Sequence, residues 1–516
     1  MPPSLRLSNS PWNQIRRVQT IVWVGLAWFM VSAAPAAVIA SLADLSMEQL
    51  MNESVTSVSK KQTKLSDAAA AISIVTADDI ERLGITTIPE ALRLVPGLDV
   101  AQMDASRWAI SSRGFNFGYA NKLLVLMDGR SLYSPAFGGV QWGLQDMMLE
   151  DLDRIEVIRG PGATLWGANA VNGVINITSK SSKDTQGMLV STALGSDEQP
   201  LTSIRYGGEV NPQLHYRMYL KYFNRDDFSL QSGGSAGDGW DGMRGGFRTD
   251  WEASVRDLVT LQGDFYSMAS GENVTLPQFT PPFSTDQKVN SDSYGGNLLG
   301  RWTRTLSETS HLSLQAYFDY FRTYNGLTRE TRRTGDIEGE YRFAVGSRHD
   351  LIWGMGYRFT TDDFNSTPIT TWDPASRDLH LFNTFLQDEI TLIPDRLRFT
   401  LGSKLEHNDY TGWEIQPSAR LLWTPHKQHS VWASVSHAVA NPTRASREGT
   451  VVGIVFHRDP AGLPFQSALV GNDNLVSEEL DAFELGYRVE VTPELSFDLA
   501  TFYNKYDNLV GVIRGS

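Results

Sequence analysis

Leu214-His-Tyr-Arg-Met-Tyr-Leu-Lys-Tyr-Phe223 is the stretch that decides the fold. Leu214, Tyr216, Met218, Leu220 and Tyr222 fall on one side of a period of two, and His215, Arg217, Tyr219, Lys221 and Phe223 on the other. An extended strand here has one apolar face and one mostly polar face. The pattern returns at Leu312, Leu314, Ala316, Phe318 and Tyr320 against Ser313, Gln315, Tyr317 and Asp319, and at Leu397, Phe399, Leu401 and Leu405 against Arg398, Thr400, Lys404 and Glu406. Leu495, Phe497, Leu499 and Tyr503 repeat it once more. From residue 187 onward this period dominates and predicts about fifteen strands. A soluble sandwich alternates in the same way, with its apolar face turned to a core. Connection lengths separate the two. Short turns are predicted around Pro212, Val255, Pro394, Pro425 and Pro493, whereas 225–242, 269–291, 361–378 and 440–479 read as long loops rich in Gly, Ser, Asp, Asn and Pro. Tight turns on one rim and long loops on the other mark an antiparallel outer-membrane barrel. A sheet in the hydrocarbon core must close on itself, because no water is there to satisfy a free edge. An odd strand number leaves the last strand, near 494–506, pointing outward, so the chain is expected to stop before its barrel closes.

Composition narrows the function classes. A formal net charge of -14 argues against nucleic acid as a partner, since phosphate binding draws on clustered Lys and Arg. The absence of Cys removes disulfide frameworks, thiol nucleophiles and Cys-based zinc sites. The nine His are scattered without an H-E-x-x-H pattern, so neither a metal site nor a cofactor is predicted. Gly233-Gly-Ser-Ala-Gly237 fits the G-x-S-x-G pattern of hydrolases but lacks the strand and helix that a nucleophile elbow needs. Gly160-Pro-Gly-Ala-Thr-Leu-Trp-Gly167 lacks the Lys-Ser/Thr ending of a phosphate loop. No catalytic residue is assigned.

Residues 1–43 read as an export signal: Arg16 and Arg17, the apolar run Ile21 to Val31, then small residues with cleavage after Ala36, Ala40 or Ala43. The apolar run is shorter than the ~20 residues of a membrane-spanning helix. Residues 61–185 have a mixed grammar. Thr76-Ala-Asp-Asp79 is a capping-type helix start, Pro89 suits a first helical turn, and Pro96-Gly97 a stop. Leu123 to Met127 is a short strand entering the turn Asp128-Gly129, and Ile155 to Ile158 and Val174 to Ile177 are two more. This is an α+β unit of ordinary domain size.

Here a resemblance becomes specific. Asp153-Arg-Ile-Glu-Val-Ile-Arg-Gly-Pro-Gly-Ala-Thr-Leu-Trp-Gly-Ala-Asn-Ala-Val-Asn-Gly-Val-Ile-Asn-Ile-Thr178 closely resembles the plug signature of TonB-dependent outer-membrane receptors. Arg113-Gly-Phe-Asn116 and Leu126-Met-Asp-Gly-Arg130 match plug motifs in the family's order. Pro417-Ser-Ala-Arg-Leu-Leu-Trp423, Ser434 to Arg444 and Ser477 to Tyr487 look like the family's barrel segments. The resemblance implies a transmembrane barrel of about 22 strands with the plug inside, of which 186–516 would supply about two-thirds.

The same resemblance implies the site. Glu53-Ser54-Val55-Thr56-Ser57-Val58-Ser59, within a periplasmic segment 44–60, resembles a TonB box, an extended stretch that adds to an edge strand of TonB. Too few residues precede it for a separate signalling domain. Arg113 and Arg159 match plug arginines that pair with barrel carboxylates. Glu484 is the barrel candidate, because Phe483, Leu485, Tyr487 and Val489 form an outward stripe that turns Glu484, Arg488 and Glu490 to the lumen. Ligand contact is expected at Arg107, Trp108, Phe115, Phe117, Tyr119, Tyr133, Phe137 and Trp142, where rigid aromatics suit a bulky ligand. The family implies a monomer in Gram-negative outer-membrane lipid, powered through TonB and its inner-membrane complex. Its ligands are ferric siderophores, with cobalamin, haem and copper complexes as alternatives. A barrel adhesin or hydrolase is the non-transport alternative, and the plug argues against it.

Overall fold

The computed structural model describes residues 54–513 other than 62, 278–282, 327, 368, 459–463, 493 and 494. The predicted export signal, Glu53 and the turn at Pro493 lie outside these residues. From residue 187 the alternating stretches form one antiparallel sheet of fifteen strands paired in chain order. They are β1 (Gly187–Ala193), β2 (Glu198–Asn211), β3 (Leu214–Arg225), β4 (Trp240–Ser254) and β5 (Asp257–Pro277). Next come β6 (Ser284–Ser307), β7 (Ser310–Tyr324), β8 (Arg329–Val345), β9 (His349–Asn365) and β10 (Ser376–Ile393). The last are β11 (Leu397–Asn408), β12 (Gly412–His426), β13 (His429–Ala440), β14 (Glu478–Thr492) and β15 (Leu495–Asp507).

The sheet is amphipathic in the inverted sense. Met218, Leu220, Leu314, Phe318, Leu401, Phe483 and Leu485 are exposed, whereas Arg217, Lys221, Arg244, Lys404 and Arg488 are buried. A soluble sheet hides its apolar face; a sheet that hides its charges and presents an apolar band is built to stand in hydrocarbon. No helix among the described residues is long and apolar enough to cross a membrane.

Residues 54–185 fill the charged side. Their five-stranded sheet runs, in spatial order, Ala71–Thr76, Leu152–Arg159, Gly173–Ser179, Leu123–Met127, Arg130–Ser131. The pairing of Leu123–Met127 with Gly173–Ser179 is parallel. Ile155, Val157, Ile175, Ile177 and Leu92 are fully buried in its core. Thr76 and Asp79 form the capping box that starts the helix Ala77–Arg82. Asp128 and Gly129 both have positive φ, 50° and 85°, as a two-residue hairpin turn requires, and this turn projects from the plug toward the barrel wall.

Three of the four long-loop expectations change. The predicted loop 269–291 is mostly strand: β5 and β6 continue as a hairpin with polar pairs such as Asn273↔Lys288 and Thr275↔Asp286. The alternation through Val274 and Leu276 outlasts the apolar band, and ladder hydrogen bonding prevails over a loop-like composition. The loops near 361–378 and 440–479 meet in a small sheet of their own, in which Thr370–Trp372 pairs with Gly449–Arg458 and the latter with Pro464–Val470.

Candidate functional site

The plug is seated by buried charge. Arg113 Nη2 donates to Glu484 Oε1 at 2.6 Å and to the Arg159 carbonyl at 2.9 Å. Ser434 Oγ donates to the other Glu484 oxygen at 2.9 Å, and the Phe502 ring lies 4.1 Å from the guanidinium. Both charged side chains are under a tenth exposed. A buried pair of this kind positions its elements more than it stabilises them, but stranding one partner is costly. Arg159 behaves otherwise: among the described residues it has no ion-pair partner. The nearby carboxylates are taken, Glu484 by Arg113 and Asp498 by Arg488 at 2.9 Å. Burial, with the cations Arg113 and Arg488 beside it, pulls the Arg159 pKa below its ordinary value.

The described part of the segment that resembles a TonB box, residues 54–59, is tucked against the plug. Ser54–Val55 pairs with Thr63–Lys64, and Val55 is fully buried among Ala68, Ile72, Leu126 and Val174. The buried Glu156 carboxylate accepts the Thr56 N–H at 2.9 Å, the Ser57 N–H at 2.8 Å and both hydroxyls, that of Thr56 at 3.2 Å. Arg154 Nε holds the same carboxylate at 2.7 Å, and Trp166 Nε1 donates to the Ser57 carbonyl at 2.8 Å. The backbone amides that would serve an added strand therefore have an internal acceptor. Two lysines then strap the segment to the barrel. Lys60 pairs with Glu338 at 2.6 Å and with Glu340, and Lys61 pairs with Asp350 at 2.9 Å and Glu389 at 2.7 Å. Burial opposes the charge on Lys60, but Glu338 and Glu340 outweigh it and hold its pKa above the ordinary value.

At the long-loop rim two cavities lie between plug and barrel. Arg107, Trp108, Tyr119 and Trp142 come together in one, of about 160 Å³, beside Trp240 and Glu272. Arg107 is already paired there with Asp104 and, at 2.7 Å, with Glu272. Tyr133 lines the other, of about 140 Å³, with Arg130, Arg244, Tyr266, Tyr317 and Arg332. Phe115, Phe117 and Phe137 line neither. Phe115 meets Tyr506 edge-on at 5.0 Å, and Phe117 is half exposed. Phe137 stacks on Tyr119 at 5.1 Å and abuts Trp372 at 5.6 Å, joining plug to outer loops. An aromatic in a Gly-rich stretch marks packing as readily as recognition, so composition does not sort these residues. The barrel arginines and tyrosines of the second cavity were missed, although Tyr317 stands in the inward register of β7 read above; depth along the strand is what the pattern lacks.

A sheet with its charges turned inward around a folded plug, beneath aromatic and cationic outer cavities, defines a plugged β-barrel of the outer-membrane receptor class. Residues 64–174 match the TonB-dependent Receptor Plug Domain and residues 179–515 the TonB dependent receptor-like beta-barrel. The chain belongs to the TonB-dependent receptor family, whose members are receptors rather than enzymes. The vitamin B12 transporter of Vibrio cholerae is 31% identical over 196 residues, which cover 38% of this chain. That match spans only 31% of the transporter's length. The ferric enterobactin receptor of Pseudomonas aeruginosa is 24% identical over 90% of this chain and 71% of its own. The crystal structure of a variant of the latter superposes with a TM-score of 0.68 at 18% identity, over 86% of this chain and 72% of that one, a likeness of fold.

Proposed function

We propose that this protein is a monomeric, energy-coupled transporter of a Gram-negative outer membrane that takes up a bulky anionic metal chelate of the ferric-siderophore kind. In this reading 1–43 is the export signal, 44–60 the periplasmic coupling segment, 61–185 the plug and 186–516 the barrel. The observation that carries the ligand class is the cavity lined by Arg130, Arg244 and Arg332 together with Tyr133, Tyr266 and Tyr317, in which Arg130 pairs with Asp319 and Arg332 with Glu330, pairs that an anionic ligand would have to share or displace. Convergent guanidinium groups give charge-assisted hydrogen bonds to an anion, and phenol rings stack on a flat chelating group. The relative that binds ferric enterobactin aligns along most of the chain, which supports the same class. A cobalamin ligand is the second reading, favoured by the 31% identity with vitamin B12 transporters. Capture at the long-loop rim would free Glu53 to Ser59 for TonB, which would pull on the plug from the other side.

The test is titration of the purified receptor with ferric enterobactin and with cyanocobalamin, followed by tryptophan fluorescence, beside uptake of labelled iron by cells with and without TonB. Binding of the ferric chelate with TonB-dependent uptake is expected. Binding of cobalamin alone would reverse the ligand assignment, and binding with TonB-independent uptake would sink the energy-coupled reading.

A further inference from the structure

The plug is not gripped evenly. Along β2–β5 it is clamped: Arg205 pairs with Asp151 at 2.5 Å, and Lys221 with Asp146 at 2.7 Å. There Arg244 donates to the Leu144 carbonyl at 2.6 Å and Arg248 to Ser179 Oγ at 2.9 Å. Along β11–β14 it is clamped again, by Arg420 on the Pro161 carbonyl at 3.1 Å, Arg488 on that of Leu65 at 2.6 Å, and the Arg113–Glu484 pair. Toward the lower end of these two flanks lie gaps of about 30 Å³ each, and the cavity beside Trp240 and Glu272, of about 160 Å³, opens on β4 and β5 only at the outer rim. Along β6–β9 the plug stands away from the wall. A lower cavity of about 730 Å³ opens there, lined by Arg301, Ser313, Gln315, Glu338 and Glu340 of the barrel.

The outer cavity reaches the same strands through Asn297, Tyr317, Arg332 and Arg358, and extends beyond them to Arg244 and Tyr266 on β4 and β5 and to Leu381 on β10. Down β7, the inward residues Phe321, Asp319 and Tyr317 line the outer cavity, and Gln315, Ser313 and His311 line the lower one. Down β8, Arg332 and Thr334 belong to the outer cavity and Glu338, Glu340 and Arg342 to the lower. One plug element stands between them: Arg130 faces the outer cavity, whereas Asp128 and Gly129, its neighbours in the same turn, face the lower. Besides Gln262 Nε2 of β5, which donates to Asp128 Oδ2 at 2.9 Å, and Arg248 of β4, 4.0 Å from the same carboxylate, three barrel side chains tie the turn to the wall. Arg130 pairs with Asp319 at 2.6 Å, Gln315 Nε2 donates to the Gly129 carbonyl at 3.1 Å, and Arg301 donates to the Asp128 carbonyl. Arg301 is itself held by Gln315 Oε1, at 2.9 Å from its Nε. At the far end of the lower cavity lie Thr56 and Lys60 of the strapped segment.

We propose that the ligand passes along the β6–β9 wall, and that the turn Asp128–Gly129–Arg130 is the gate between the outer and lower cavities. The assignment rests on the transport reading above. With the Asp128 side chain held by Gln262 and Ser179 as the pivot, Gly129 and Arg130 swing inward and open this route without dislodging the plug from either clamped flank. The strap across Glu338 and Glu340 closes the exit, and drawing out residues 54–61 uncovers it. Glu156, which holds that segment, lies in register with Asn176, and Asn176 with Leu126, two residues before the gate.

The chain has no Cys, so Ser313→Cys puts a single thiol in the lower cavity. Intact cells are treated with a maleimide of siderophore bulk, too large for general porins, and labelling of Cys at 313 is read by mass shift. With the gate intact labelling is slow. Arg301→Ala with Gln315→Ala is expected to raise its rate about tenfold or more, since removing charged hydrogen bonds shifts the open population by that order. Asp319→Asn, a nearly isosteric change, is expected to act in the same direction. Trypsin resistance of the plug checks folding in each variant. Arg205→Ala and Arg420→Ala, which cut contacts on the clamped flanks away from the turn, are expected to leave labelling at its base rate. Equal gains from the flank variants, or no gain from folded gate variants, would overturn the proposal. Labelling needs neither TonB nor ligand, so its failure would leave the transport reading standing, and loss of TonB-dependent uptake would leave a positive labelling result intact.

Discussion

Glu156→Gln removes the charge from a fully buried carboxylate that receives two backbone N–H groups of the coupling segment, at 2.9 Å from Thr56 and 2.8 Å from Ser57. It also receives two hydroxyls and Arg154 Nε. Glutamine has one acceptor oxygen where glutamate has two, and its amide N–H groups would face donors. A hydrogen bond to a charged acceptor contributes about 1.5–3 kcal/mol, so losing one such bond and weakening the others costs about 3 kcal/mol of local stability. With about 1.4 kcal/mol per factor of ten, the opened state of residues 55–59 rises by roughly 100-fold. The Lys60 and Lys61 pairs are untouched, so the release stays local. The assay is hydrogen exchange of the ligand-free receptor, read on peptides covering residues 54–61. Protection of the Thr56 and Ser57 amides should fall by that factor while barrel peptides keep theirs. Unchanged protection would refute the reasoning, because Val55 burial and the lysine strap would then suffice to hold the segment.

Arg113→Met should cost about 3–5 kcal/mol in denaturant unfolding, because Glu484 is left buried without its partner, and the double variant with Glu484→Met should recover most of that loss. Burial works against the charge of Asp128, but Arg248, the Ser179 N–H and Gln262 hold its pKa below the ordinary value. With the folded pKa below the unfolded one, the carboxylate's contribution is present above about pH 4 and lost as pH falls through the lowered value. The stability gap between the protein and Asp128→Asn should thus be constant near neutrality and close only in acid, as read by unfolding midpoints across pH. Arg332→Ala should weaken ferric enterobactin binding by about tenfold or more, the worth of one charge-assisted hydrogen bond, and an unchanged Kd would remove this arginine from the ligand site.

The amino-acid sequence by itself determined the class. Period-two alternation in Leu214 to Phe223 and its repeats assigns faces through local Cα geometry alone, and the Asp153 to Thr178 signature marks the plug without reference to anything distant. Arg113 and Glu484 could both be named from motif and alternation, although they stand 371 residues apart. Tertiary structure decided the rest. Nothing near Thr56 or Glu156 in the chain announces that one binds the other across 100 residues, or that Lys60 would find Glu338. Nor does alternation say how deep along its strand an inward residue lies, which is what places Tyr317 in the outer cavity and Gln315 in the lower one. The physical reason is that a strand's faces follow from its own bonds, whereas the stagger of fifteen strands and the seat of the plug against them are set jointly by contacts between distant residues, none of which is written in any single stretch.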